Sequence, residues 1–202
     1  MAMPKPVEIR LATLADAEAV LEIYKPFITD TVVTFEEIVP SVSEFRERMA
    51  SILKESPYLV CLVNGRIIGY AYASAYRSRA SYRWNREVTV YIHPDGQKKN
   101  IGTALYYALI EILKRQNFAN LLAVVTLPNE GSARLHERVG FTSCAVFRQV
   151  GYKMNQWHDV GWWELALILP TEEPNEPTLF KDFDEPSFLS GVLQKAAEFV
   201  KI

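Results

Sequence analysis

Apolar and polar positions alternate along this chain with two distinct periods. Val7, Ile9 and Leu11 are separated by Glu8 and Arg10, a period of two that predicts a first strand with one buried face. Ala17, Val20, Leu21 and Tyr24 then fall on the helical period behind Thr13, a plausible N-cap with Asp16 three residues on as an imperfect capping box. Pro26 is expected to end or kink that helix. Residues 29–39 are rich in β-branched side chains and read as extended, ahead of a second helix that starts near Ser43 and buries Phe45, Met49, Ile52 and Leu53. The unbroken apolar run 58–63 suits a central strand, Asn64-Gly65 is a hairpin turn, and 66–76 is the return strand.

The next apolar patterns enclose a candidate site. Val88, Val90 and Ile92 alternate with Thr89 and Tyr91 until Pro94, Asp95 and Gly96 break the strand, and Ile101, Leu105, Ala108, Leu109 and Ile112 form a helical stripe. Between them lies a loop with Gln97, Lys98, Lys99, Asn100 and Gly102. A loop that opens a helix aims several free N–H groups, backed by the positive end of the helix dipole, at one point; that favours an anion such as phosphate. The same arrangement also occurs as a mere connection, so by itself it does not decide. Residues 121–126 form another buried strand, 132–139 a short helix stopped by Gly140, and 143–150 and 160–169 two further strands joined by a loop over 151–159.

After residue 169 the pattern changes. Pro170, Pro174, Pro177 and Pro186 are interspersed with six acidic residues, which predicts a linker over 170–186, and 187–202 returns to helical periodicity through Phe188, Val192, Leu193, Ala196, Phe199 and Val200. That amphipathic face needs a docking surface, on the domain or on a partner subunit. The element order predicts a mixed α/β sheet with helices on both faces.

Composition narrows the function classes. A net charge of −2, with acids and bases interspersed through 202 residues, gives no electrostatic case for nucleic acid or anionic membrane and favours a small ligand. Cys61 and Cys144 are isolated in apolar runs, as buried thiols of a reducing compartment are, and no metal site is expected. Residues 1–6 lack the apolar core of a secretory signal and no run is long enough to span a bilayer, so a cytoplasmic location is expected.

Three stretches carry a resemblance. Residues 97–102 resemble the loop of Gln or Arg, two residues, Gly, one residue, Gly or Ala with which the GNAT acetyltransferase superfamily holds the pyrophosphate of coenzyme A. Asn100 stands where the first glycine is expected, and Asn is the non-glycine residue that best tolerates a left-handed backbone. NEGSARLHERVGF at 129–141 is similar to the GNAT element that closes over the pantetheine arm. AYRSRASYRWNREVTVYI at 75–92, VTFEE at 33–37 and GYKMNQWHDVGWW at 151–163 resemble the phosphinothricin and methionine sulfoximine N-acetyltransferase branch. The chain departs from that branch at Lys25-Pro26, where Asn-His is usual.

The resemblance implies a GNAT fold over 1–169 and an acetyl-CoA-dependent enzyme that acetylates a small amino acid or analogue by direct transfer. It implies cofactor contacts from Val90, Tyr91, Ile92, Gln97, Lys98, Lys99, Asn100, Ile101, Gly102, Thr103, Asn129 and Ser132. Glu87 matches the branch's catalytic carboxylate and His136 its candidate proton donor or relay, with the Ile92 N–H meeting the oxyanion. Substrate contacts are expected from Phe35, Arg77, Arg79 and Tyr82, and Trp157 as a further wall; two guanidiniums suit an acidic or tetrahedral group. Each has a plainer use: Glu87 paired with Arg83 or Arg86, His136 a structural core residue, Asn129 and Ser132 a turn and a cap. A homodimer is expected near the aromatic strand end at Trp162 and Trp163. Competing readings are a GNAT enzyme acting on a protein N-terminus or another amine, and a CoA-binding sensor without turnover.

Overall fold

The computed structural model describes residues 6–168 and 173–202. Its strands are β1 (Val7–Leu11), β2 (Tyr58–Val63), β3 (Arg66–Ala75), β4 (Asn85–Ile92), β5 (Asn120–Leu127), β6 (Thr142–Lys153) and β7 (Gln156–Ala166). They form one sheet in the order β1-β2-β3-β4-β5-β7-β6. Five helices accompany it: α1 (Ala17–Thr29), α2 (Val42–Glu55), α3 (Ile101–Arg115), α4 (Glu130–Arg138) and α5 (Pro186–Ala197). None of the helices among the described residues is long and apolar enough to cross a membrane.

The period-two strands put alternate side chains on opposite faces, and each face has its own core. On one, Leu59, Cys61, Ala71 and Val88 meet Leu105, Leu109 and Ile112 of α3, with Val192 and Ala196 of α5 behind. On the other, Tyr58, Val60 and Tyr70 meet Val20, Leu21 and Ile28 of α1 and Phe45 and Met49 of α2. The α3 helix is buried nearly all round, since the sheet, α4 and α5 enclose it. A helix apolar on every side needs such enclosure.

Several elements differ from the periodicity. The α1 helix continues through Pro26 to Thr29, and the Asp30 N–H still reaches the Pro26 carbonyl at 2.9 Å. Tyr24 and Ile28 are buried on either side of the proline, so packing outweighs the lost hydrogen bond. Residues 31–40 hold no strand, because Thr31 and Thr34 direct their side chains into local turns with Phe27, Val33 and Glu36. The expected loop over 151–159 is a hairpin, with Met154 and Asn155 both at positive φ as a two-residue turn requires. Cys144, expected to be buried, is exposed on the edge strand β6. The final helix ends at Ala197, and its docking surface is α3 and β1.

Leu109 is fully buried at the centre of the α3 contact. Leu109→Ala should lower unfolding stability by about 3 kcal/mol in urea titration, the usual cost of an unfilled leucine site.

Candidate active site

The β4 and β5 strands are parallel neighbours that pair over three residues, Asn85 with Asn120, Arg86 with Leu121 and Glu87 with Leu122. Beyond Glu87, β4 remains paired with β3 as far as Ile92 and β5 with β7 as far as Leu127. The two strands therefore part, and each shows one unpaired edge to the gap. The His93 N–H donates to the Ile68 carbonyl at 2.8 Å, on the β3 side. By strand alternation Val90 and Ile92 turn their N–H and C=O groups the other way, into the gap. A cavity of ≈ 560 Å³ fills it, lined from β4 by Glu87, Thr89, Val90 and Tyr91 and from β5 by Val124, Val125 and Thr126.

Glu87 stands at the fork. The partners its neighbours might have offered are engaged elsewhere: Arg83 grips Glu176 at 2.6 Å and stacks on Trp84, while Arg86 reaches Glu55 at 3.2 Å and lies over the Phe118 ring. Glu87 has no ion pair among the described residues, and burial pushes its carboxyl pKa up. A half-buried carboxylate without a cation, facing a cavity, is a candidate general base.

His136 is only 3% exposed, stacked on Trp163 and edge-on to Phe141. Its Nδ1 lies 2.8 Å from the Ser132 carbonyl, so Nδ1 carries the proton and donates it; Nε2 is left to accept from the Tyr106 hydroxyl at 2.9 Å. Burial holds the imidazole pKa down, which keeps it neutral. Tyr106 and His136 both line the cavity. Sequence reasoning missed Tyr106. Its signal was a tyrosine inside a helix with almost no polar face, where a buried hydroxyl must find a partner.

At the far end of β4 the loop turns into α3. Lys98 and Asn100 both have φ of 61°, so Asn100 adopts the left-handed conformation expected of a glycine. No side chain caps α3, and its first helical bond is Ala104 N–H to the Asn100 carbonyl. The N–H groups of Ile101, Gly102 and Thr103 are thus free of helical partners and available to an anion. Gly102 lets α4 pack close, since a Cβ there would lie 2.8 Å from Leu135 Cδ2 and make that side chain shift. The neighbouring α4 starts at Glu130, two residues ahead of the expected 132, and its cap is the Asn129 side chain, which accepts from the Ser132 N–H at 3.1 Å. Ser132 therefore does not cap the helix; both residues line the cavity.

Of the residues expected to touch substrate, Phe35 lines the cavity and Arg77, Arg79 and Tyr82 do not. The two arginines are exposed on the loop ahead of β4, and Tyr82 is half-buried edge-on to Tyr76, which in turn packs against the cavity residue Trp162. Trp157 is 61% exposed, so Trp162 supplies the wall in its place. Two residues that the pattern did not single out position Phe35. Gly151 leaves room for its ring, which a Cβ would overlap, and the buried Lys153 Nζ donates to the Ile28 and Thr34 carbonyls at 2.7 and 2.8 Å. No cluster of three or more His, Cys, Asp or Glu side chains suited to a metal is present among the described residues.

The forked sheet, the lone carboxylate at the fork and the uncapped helix N-terminus at the far end of β4 are the features that a thioester and its anionic arm would need. The chain belongs to the GNAT acetyltransferases: the sequence model described as "Acetyltransferase (GNAT) domain" matches residues 9–162. It is 38% identical over 166 residues to the phosphinothricin N-acetyltransferase of Streptomyces viridochromogenes, covering 82% of this chain and 91% of that one. It is 34% identical over 160 residues to the L-methionine sulfoximine/L-methionine sulfone acetyltransferase of Salmonella typhimurium, covering 79% and 94%. Among solved structures, a GNAT superfamily phosphinothricin acetyltransferase from Sinorhizobium meliloti in complex with AcCoA superposes with a TM-score of 0.80 at 33% identity, covering 87% of this chain and 99% of that one.

The raised pKa of Glu87 has a consequence for stability. A folded pKa above the unfolded value of 4.5 means that the native state favours the protonated carboxyl; the associated stability is present below the unfolded pKa and lost as pH rises through the folded one. Glu87→Gln should therefore unfold at a higher temperature than the parent at pH 8, the difference vanishing near pH 4. A variant less stable than the parent at pH 8 would mean that the carboxylate has a stabilising partner.

Proposed function

We propose that the protein transfers the acetyl group of acetyl-CoA directly to the α-amino group of a small amino acid or analogue of the phosphinothricin, methionine sulfoximine or methionine sulfone type. The observation that carries this reading is the unpaired, desolvated Glu87 carboxylate beside the open amides of β4. The relatives' names support the substrate class.

The residues suit acetyl-CoA. The N–H groups of residues 101–103, with Gln97, Lys98, Lys99 and Asn100, receive the pyrophosphate, and the open Val90 C=O and Ile92 N–H of β4 receive the amide-rich arm together with Asn129 and Ser132, while the backbone of Tyr91 turns to β3. Bound there, acetyl-CoA supplies an electrophilic thioester carbonyl and a thiolate leaving group. Glu87 takes the proton of the substrate ammonium, directly or through water, so that a neutral nitrogen attacks. The Val90 N–H, the open donor of β4 that lines the cavity with Glu87, donates to the carbonyl oxygen as negative charge builds on it; the expected donor, Ile92, lies five strand residues from Glu87 and outside the lining. The Tyr106 hydroxyl, which rests on His136 Nε2, turns to donate a hydrogen bond to the departing sulfur; burial holds the phenol pKa well up, so it stabilises the thiolate as a donor and keeps its own proton. Phe35 and Trp162 wall the amine side; Arg77, Arg79 and Tyr82 stand outside that lining, on the loop whose Tyr76 packs on Trp162, and are assigned to an acidic or tetrahedral group of the substrate only as far as it reaches beyond the cavity.

Two further features belong to this reading. The homodimer expected at Trp162 and Trp163 moves to the edge strand β6, because Trp163 is buried and Trp162 lines the cavity, whereas β6 exposes Val146, Phe147, Val150 and Tyr152, an open strand edge with apolar surface that a second copy of the chain covers. The unpaired thiols of Cys61 and Cys144 suit the reducing cytoplasm.

A thiol-release assay with acetyl-CoA and a panel of amino acids tests the substrate class. Methionine sulfone, methionine sulfoximine or phosphinothricin should release CoA; binding of acetyl-CoA without release by any of them would contradict it. Glu87→Gln should lower kcat by roughly 10²–10⁴-fold with little change in acetyl-CoA affinity, as removal of a general base does. Equal losses in both would make Glu87 structural.

A further inference from the structure

The family match ends at residue 162, and the segment beyond it is fastened along the cofactor side of the fold. Within it, after β7 has ended at Ala166, residues 175–176 are tied to the loop ahead of β4, where Glu176 holds Arg83 and the Asn175 carbonyl accepts from Trp84 Nε1 at 2.8 Å. Thr178 is bound on both sides to Gln116, at the end of α3, and Glu185 meets Arg115 at 2.9 Å. The α5 helix then runs back along α3, burying Val192 and Ala196. Past its end Phe199 packs edge-on against Tyr107 of α3 with ring centres 4.9 Å apart, and the Lys201 N–H donates to the Lys99 carbonyl at 3.0 Å.

Lys99 lies between two residues held in the left-handed region, Lys98 and Asn100. That conformation is intrinsically unfavourable for a lysine and is retained only where the surroundings fix it. Anion binding by backbone amides depends on peptide planes that already point at the ligand, since any ordering on binding is subtracted from affinity. The Lys201 N–H fixes the peptide plane between Lys99 and Asn100, immediately ahead of the free amides of α3. We propose that the 199–201 segment is a positioning element for acetyl-CoA, anchored by Phe199 and acting through the Lys201 backbone on the pyrophosphate loop. This rests on the reading of 97–103 as that loop.

The test compares Lys201→Pro, which deletes the donor N–H, with Lys201→Gln, which keeps it. Steady-state kinetics of the full-length protein with acetyl-CoA and a turned-over amino acid, and thermal midpoints, are measured for each. Lys201→Pro should raise the acetyl-CoA KM about fivefold, the worth of one hydrogen bond, while kcat, the amino-acid KM and the midpoint hold. The conservative Lys201→Gln should restore the acetyl-CoA KM. An unchanged KM in Lys201→Pro, an equal rise in Lys201→Gln, or a parallel loss in both KM values with a lowered midpoint would each overturn the proposal. Lys98→Glu separates this from the underlying reading: a raised acetyl-CoA KM there with none in Lys201→Pro overturns the positioning role alone, and no change in either overturns the loop assignment as well.

Discussion

A parallel strand pair that parts after three residues is the constraint on which the rest depends. Buried backbone amides ordinarily find partners within the sheet, and leaving a run of them open in a cleft is costly unless a ligand or water meets them. The cleft is tolerable because each strand remains paired on its other side, β4 with β3 and β5 with β7, so the open edges are held by an otherwise continuous sheet. The bulge in β6 between Phe147 and Gly151, where the Gln149 N–H turns to the Asp159 carboxylate at 2.8 Å, brings Phe147 and Val150 to the wall of the same opening.

Charge is arranged around that opening by exclusion as much as by attraction. Alternation along β4 sends Arg86 to one face, where Glu55 and Phe118 take it, and Glu87 to the other, where no cation follows. The tail removes Arg83 in the same way through Glu176. A carboxylate deprived of both neighbours by packing has nothing to offset the burial that raises its pKa, and a lowered His136 pKa follows from the same desolvation acting on a group of opposite charge.

Much of the frame was legible because it lies in short-range pattern. Period-two runs located β1 and β4, unbroken apolar runs located β2 and β5, Asn64-Gly65 marked the hairpin into β3, and the loop around Ile101 marked an uncapped helix N-terminus. At 31–40 the β-branched signal lost to local turns made by Thr31 and Thr34; the other misreadings come from long-range packing that outweighs a local signal. Pro26 sits within a helix whose flanking residues are buried, and 151–159 became a hairpin because β7 pairs with β6 along its length. Lys153 illustrates the limit for the site: a lysine after Gly-Tyr reads as surface, yet its ammonium group is buried between two carbonyls distant in sequence. Likewise the Tyr106–His136 pair joins α3 to α4, a contact with no periodicity to announce it.

Residue-resolved amide hydrogen exchange, with and without saturating acetyl-CoA, tests the forked sheet most directly. Tyr91, on the β3 side of its strand, should exchange slowly in both states. Val90 and Ile92, with Ile101, Gly102 and Thr103, should exchange fast in the free protein and slow markedly when acetyl-CoA is added. Slow exchange at Val90 and Ile92 in the free protein, or no protection of them by acetyl-CoA, would contradict the account.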